Sequence, residues 1–158
     1  GPTCLILTRQ TLPILDRSRA ARDAGVARGA YVLSEADGRP ELLLLATGSE
    51  VAVAVAAQEL LRRRGIAARV VSMPCWEVFE QQPAGYREAV LPPAVTARVA
   101  VEAGAPLGWY KYVGAGGEIV AMTRFGVSAP GTVLMERFGF TAENVAGRAL
   151  GLLGRSGT

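Results

Sequence analysis

Apolar residues occur along this chain in short blocks separated by glycine, proline and charge, and the block lengths predict an α/β fold. Leu42–Ala46 is an unbroken aliphatic run of strand length, as expected for a strand covered on both faces. Thr47-Gly48-Ser49 follows as a turn, with Ser49 as the expected N-cap and Glu50 in the first helical turn, where the helix dipole favours an anion. The Ala, Val and Leu residues of 50–64 form a helix that closes on Arg62, Arg63 and Arg64, with Gly65 just past its end. Residues 68–73 are the next β-rich run. Strand, helix and strand in about thirty residues make a βαβ unit with parallel strands.

The same reading extends to both sides of that unit. Residues 31–36 form an apolar segment ending at the Asp37-Gly38 turn, and are expected to neighbour the 42–46 strand. Residues 76–89 read as one or two short helices broken by Pro83 and Gly85, and 96–101 as a β-branched strand ending at Glu102-Ala103-Gly104. A short aromatic helix over 108–113 precedes a strand over 118–122. Gly114-Ala115-Gly116-Gly117 and the stretch from Phe125 to Pro130 read as loops with tight turns. The closing helix has Thr141 as N-cap, with Val145, Ala149, Leu152 and Leu153 as its apolar stripe. Upstream, residues 3–7 are a buried-strand candidate, and the Arg-rich stretch 16–28 reads as a linker. The pattern describes one α/β domain around a mainly parallel sheet.

Composition narrows the chemistry. The 158 residues contain no histidine, which excludes His-based triads, Cys-His dyads, imidazole metal sites and His acid–base steps within this chain. The net charge of +3 resides wholly in residues 1–28, where five arginines face two acids; the remainder carries twelve of each sign. A neutral body does not present the basic stripe of a nucleic-acid binder, and no apolar run approaches the length of a membrane span. Cys4 and Cys75 have no CxxC spacing and sit among apolar neighbours, so buried, reduced thiols of a cytoplasmic protein are expected.

Several positions are candidates for function, each with a plainer reading beside it. The Thr47-Gly48-Ser49-Glu50 turn places backbone N–H groups at a helix start, yet it is neither GxGxxG nor GxxxxGK[ST], and Glu50 would repel a phosphate. Glu102 stands at the carboxyl edge of the sheet, where open α/β folds place ligands, but shows no partner carboxylate. Trp109-Tyr110-Lys111-Tyr112 reads as an interface anchor or as a core helix with an exposed lysine. Arg9 directly follows a buried-type strand and is a candidate anion contact through its guanidinium fork.

Taken in order, many of these segments match one family. They include Leu5-Ile6-Leu7-Thr8-Arg9-Gln10, Ala46-Thr47-Gly48-Ser49-Glu50-Val51 and Arg69-Val70-Val71-Ser72-Met73-Pro74. Further along come Val99-Ala100-Val101-Glu102-Ala103-Gly104, Trp109-Tyr110-Lys111-Tyr112-Val113-Gly114, Phe125-Gly126 with Ser128-Ala129-Pro130, and Phe138-Gly139-Phe140-Thr141. Together they resemble the C-terminal part of transketolase over nearly the whole chain. The related two-domain β subunits of 2-oxoacid dehydrogenases fit the Arg-Val-Val-Ser-Met-Pro and Trp-Tyr-Lys-Tyr stretches less well.

The resemblance implies a three-layer sandwich around a mainly parallel, mixed five-stranded sheet. It implies that residues 1–10 are the last strand of a preceding pyrimidine-binding domain, 11–28 a linker and 29–158 the transketolase C-terminal domain. The complete enzyme would use thiamine diphosphate and Mg²⁺ to move a two-carbon ketol unit between sugar phosphates, as a cytoplasmic homodimer. This chain would hold no cofactor, no metal and no catalytic residue, and would be inactive alone. Its partners would be the remaining transketolase domains or a partner subunit. One substrate contact carries over: Arg9 matches the Arg of the family's Ser-Arg-Gln motif, which contacts the sugar phosphate, with Thr8 here replacing the usual Ser. A C-terminal subunit of a split transketolase, or an independent interaction or regulatory module with the same fold, is the alternative.

Overall fold

A computed structural model of the chain describes residues 10–15 and 25–155. Its five strands are β1 (Tyr31–Ser34), β2 (Leu42–Ala46), β3 (Ala68–Ser72), β4 (Arg98–Glu102) and β5 (Glu118–Ala121), in the spatial order β1-β3-β2-β4-β5. Its six α-helices are α1 (Val51–Arg62), α2 (Trp76–Glu80), α3 (Ala84–Val90), α4 (Tyr110–Val113), α5 (Gly131–Arg137) and α6 (Ala142–Leu152).

β2 is the hub. All five of its residues are buried, because β3 and β4 flank it in parallel and helices cover both of its faces. Side-chain alternation then divides the core. Leu42, Leu44 and Ala46 join Val70, Val99 and Val101 beneath Ala54, Ala57 and Leu61 of α1 and Val145 and Ala149 of α6. Leu43, Leu45, Val71 and Ala100 face the other way, onto Phe79, Val90, Trp109, Tyr112 and Val113. Helices on each side of one sheet give the expected three layers.

β1 departs from the predicted arrangement. It neighbours β3, antiparallel, with Tyr31 opposite Ser72 and Val32 opposite Val71, and does not pair with β2. The Asp37-Gly38 turn is therefore no hairpin: β2 is taken on both sides by parallel partners, and the chain must pass over β3 to reach it. Gly29 sets the start of β1. Its φ of 81° suits glycine, and a Cβ there would lie 2.2 Å from the Cys75 carbonyl oxygen and 2.4 Å from Phe79 N. The Cys75 N–H donates to the Gly29 carbonyl at 2.9 Å, joining the entry of β1 to α2.

Other differences are local. Residues 48–50 form a single 3-10 turn before α1, so Ser49 is not its N-cap; the Ser49 hydroxyl donates to Glu50 Oε1 at 2.5 Å. Pro83 does divide 76–90 into two helices, but Gly85 lies inside α3. Cys75 is half-buried, with its thiol 3.5 Å from Glu77 Oε2, rather than sealed in the core; Cys4 lies outside the described residues. Thr141 caps α6 as expected, its Oγ1 accepting from Asn144 N at 3.2 Å. α5 is an addition that periodicity did not foresee.

Candidate functional site at the carboxyl edge of the sheet

In an open α/β sheet the ligand crevice opens where neighbouring strands send their connections to opposite sides. Here that place lies between the carboxyl ends of β2 and β4, because β2 continues to β3 and β4 to β5 on the other side. Two sequence-predicted positions meet there. The Thr47-Gly48-Ser49-Glu50 turn leaves β2 and Glu102-Ala103-Gly104 leaves β4.

The crevice is filled by the protein's own groups. Glu50 is buried, and its Oε2 accepts the Ala103 N–H at 3.1 Å while Oε1 takes the Ser49 hydroxyl. A carboxylate thus stands where an anionic ligand of a helix N-terminus would otherwise sit. Glu102 accepts the indole N–H of Trp109, which is fully buried. The Met122 N–H donates to the Gly104 carbonyl at 2.8 Å, tying the loop after β5 to the loop after β4. Among the described residues no group of three His, Cys, Asp or Glu side chains is placed to hold a metal ion. A crevice filled by two carboxylates, both already accepting the protein's own donors, does not suit a diphosphate.

The aromatic cluster divides between core and surface. Trp109 and Tyr112 are buried against Trp76, with ring centroids 4.9 and 5.3 Å from it, while Tyr110 and Lys111 point outward. Lys111 reaches Glu80 at 3.0 Å, and the Tyr112 hydroxyl donates to the other oxygen of Glu80, also at 3.0 Å. Lys111, foremost, and Tyr112 hold the Glu80 carboxyl below its usual range. Burial, reinforced by that hydrogen bond to Glu80, pushes the Tyr112 phenol up. A cleft of about 320 Å³ beside this group is lined by Arg87, Arg98 and Lys111. Arg98 spends Nε, Nη1 and Nη2 on the carbonyls of Val95, Tyr112 and Pro92, at 2.9, 2.7 and 3.0 Å, and burial lowers its pKa. These are ties within the fold.

A second cleft, of about 490 Å³, lies at the carboxyl edge between the start of α1 and α5. Gln10 and Leu12 line it together with Ser49, Thr132, Phe140 and Thr141. Arg9 itself lies outside the described residues. Sequence reasoning missed this cleft because its wall is α5, a seven-residue helix opened by Pro130-Gly131 and only partly buried. The one available signal was the apolar run Val133-Leu134-Met135 downstream of Pro130-Gly131.

Residues 29–141 match the family model described as the transketolase-like C-terminal domain. The chain belongs to the transketolase family. It is 54% identical to the transketolase of Aquifex aeolicus over 150 residues, covering 95% of this chain and 22% of that protein. With transketolase 1 of Escherichia coli it shares 58% identity over 153 residues, 97% of this chain and 23% of the relative. Among solved structures, a transketolase variant from Pichia stipitis superposes with a TM-score of 0.83 at 35% identity, covering 92% of this chain and 20% of that one. The chain therefore spans less than a quarter of the length of the transketolases it matches. The mixed five-stranded sheet is the arrangement expected of this family member.

Proposed function

We propose that this chain acts as the C-terminal region of a transketolase, the enzyme that transfers a two-carbon ketol unit from a ketose phosphate to an aldose phosphate. The observation that carries the reading is identity of 54–58% with transketolases across nearly all of the chain. The thiamine diphosphate and Mg²⁺ are supplied by other domains of a cytoplasmic homodimer. Residues 1–10 close the preceding domain, 11–28 link, and 29–158 form the terminal domain. The chain on its own is inactive. Arg9 contributes the phosphate contact at the mouth of the active site; supporting this, the next residue, Gln10, lines the carboxyl-edge cleft beside Ser49.

The test is a chimera in which this chain replaces the matching part of the Escherichia coli enzyme. Ketol transfer by the chimera, with no thiamine diphosphate binding by the isolated chain in calorimetry, is the expected result. A folded, dimeric and inactive chimera would overturn the reading. Arg9→Ala in that chimera removes a charge-assisted contact of roughly 1.5–3 kcal/mol, raising KM for phosphorylated donors by about ten- to a hundredfold. Unphosphorylated ketol donors are unaffected, and an equal loss with both would reject the role of Arg9.

A further inference from the structure

The large apolar side chains left exposed are not scattered. Among the described residues they fall on the entering segment around Leu12 and on elements that meet the carboxyl edge of the sheet. Phe125 and Val127 lie on the loop after β5, Leu107 and Tyr110 after β4, Val133 on α5, and Val26 just before β1, whose start pairs with the carboxyl end of β3. Phe125 is 96% exposed and Leu107 79%. The opposite edge is different. Its turns carry Asp37, Arg39, Glu41, Arg63, Arg64 and Arg155, with no exposed large apolar side chain among the described residues.

Scattered apolar residues on a surface are ordinary, but their gathering on one edge marks an interface. The loops that bear them are also held firmly at their bases. Glu102 fixes Trp109, Glu50 fixes Ala103, and Met122 N bonds the Gly104 carbonyl. A preorganised rim docks at a small entropic cost.

We infer that the carboxyl edge of the sheet is the face on which this domain docks against the domain that precedes it in a transketolase, with Phe125 and Leu107 as the anchors. The inference rests on the proposed function and adds the surface and its occupant. The occupant is chosen by where the chain enters. Gln10 and Leu12 line the cleft formed by Ser49, Thr132 and Phe140, so a body joined directly before Gln10 is tethered at this edge. A tether of a few residues reaches only about 3.3–3.6 Å per residue and keeps the tethered surface at high effective concentration. More than three-quarters of each matched relative lies outside the match, which supplies a body of the required size.

Hydrogen exchange read by mass spectrometry tests this, comparing the chain alone with the chimera described above. Amides of 104–110 and 122–130 should exchange at least tenfold more slowly in the chimera, while those of 35–41 and 114–117 stay unchanged. A chimera carrying Leu107→Asp with Phe125→Asp should lose that protection, and the same double variant of the chain alone should keep its melting temperature. Equal exchange at the rim in chain and chimera, or protection at the opposite edge, would overturn the inference. Rim protection that grows with concentration of the chain alone would assign the face to a second copy and overturn it as well. An active chimera with an unprotected rim defeats the docking surface alone; an inactive chimera with a protected rim defeats the transketolase reading alone.

Discussion

At the carboxyl edge of the sheet, carboxylates accept hydrogen bonds from loop N–H groups; at the amino edge, guanidinium groups donate to loop carbonyls. Glu50 takes Ala103 N and Glu102 takes the Trp109 indole. Across the sheet, Arg98 holds the carbonyls of Pro92, Val95 and Tyr112, and Arg69 holds those of Ala89 and Val90 at 2.7 and 3.2 Å. The difference follows from topology. Helices that connect parallel strands begin near the carboxyl edge with unpaired N–H groups and end near the amino edge with unpaired carbonyls. Acids therefore suit the first edge and arginines the second. Tyr112, Ala89 and Val90 all stand in the last turns of their helices. What remains on the surface also differs, since the carboxyl edge keeps apolar side chains outward and the amino edge ion pairs such as Arg155–Glu41 at 3.1 Å.

The comparison breaks most sharply at Trp109. Trp109→Ala empties a fully buried indole site beneath the rim and leaves Glu102 unpartnered. A loss of about 3–5 kcal/mol in urea denaturation is expected. A loss below 1 kcal/mol would mean that the rim is not built on this side chain. Next come single members of the two opposed sets. Glu50→Ala and Arg98→Ala should each cost about 1–3 kcal/mol, since each leaves backbone groups without their charged partner. Exchange should then accelerate only at the mutated edge, around 103–107 for Glu50 and 91–97 for Arg98; acceleration at both edges from either variant would erase the distinction.

A smaller effect is expected from pH. Glu80 has a folded-state pKa held below its usual 4.5, so its contribution to stability is complete above that value. The contribution is lost as pH falls through the depressed folded value. Melting curves from pH 6 to pH 3 should show the protein losing more stability than Glu80→Gln, and parallel curves would remove Lys111 and Tyr112 as the cause. Smallest of all, Phe125→Ser should leave the stability of the chain alone within about 0.5 kcal/mol, because an exposed side chain has little to lose. A larger change would show that Phe125 packs within the domain and is not held out for a partner.

The parts of this architecture that were legible in the sequence are those written in local pattern. Leu42–Ala46 read as a doubly covered strand, and Thr141 as the cap of a helix start. Placement of β1 was not legible, because the choice between β2 and β3 depends on which edge is free once the parallel strands have assembled. Glu50 was readable as a helix-start acid, but its bond to Ala103 spans 53 positions and no spacing reports it. Glu102 stood without a visible partner for the same reason: its partner is an indole N–H, which belongs to no acid–base or metal pattern. The exposed rim was obscured because Phe125 and Leu107 have nothing to set them apart from core residues until the loops are placed.

The crowding around Gly29 has a consequence for how such a domain is exchanged between proteins. With the Cys75 carbonyl 2.2 Å from any Cβ added there, and the Cys75 N–H bonded to its carbonyl, the chain is indexed at that residue. Insertions or deletions upstream should therefore be absorbed before Gly29 and leave β1 in register. The residue is thus a natural crossover point for recombination. Libraries that join foreign leading segments at residues 28–29 should preserve the downstream register.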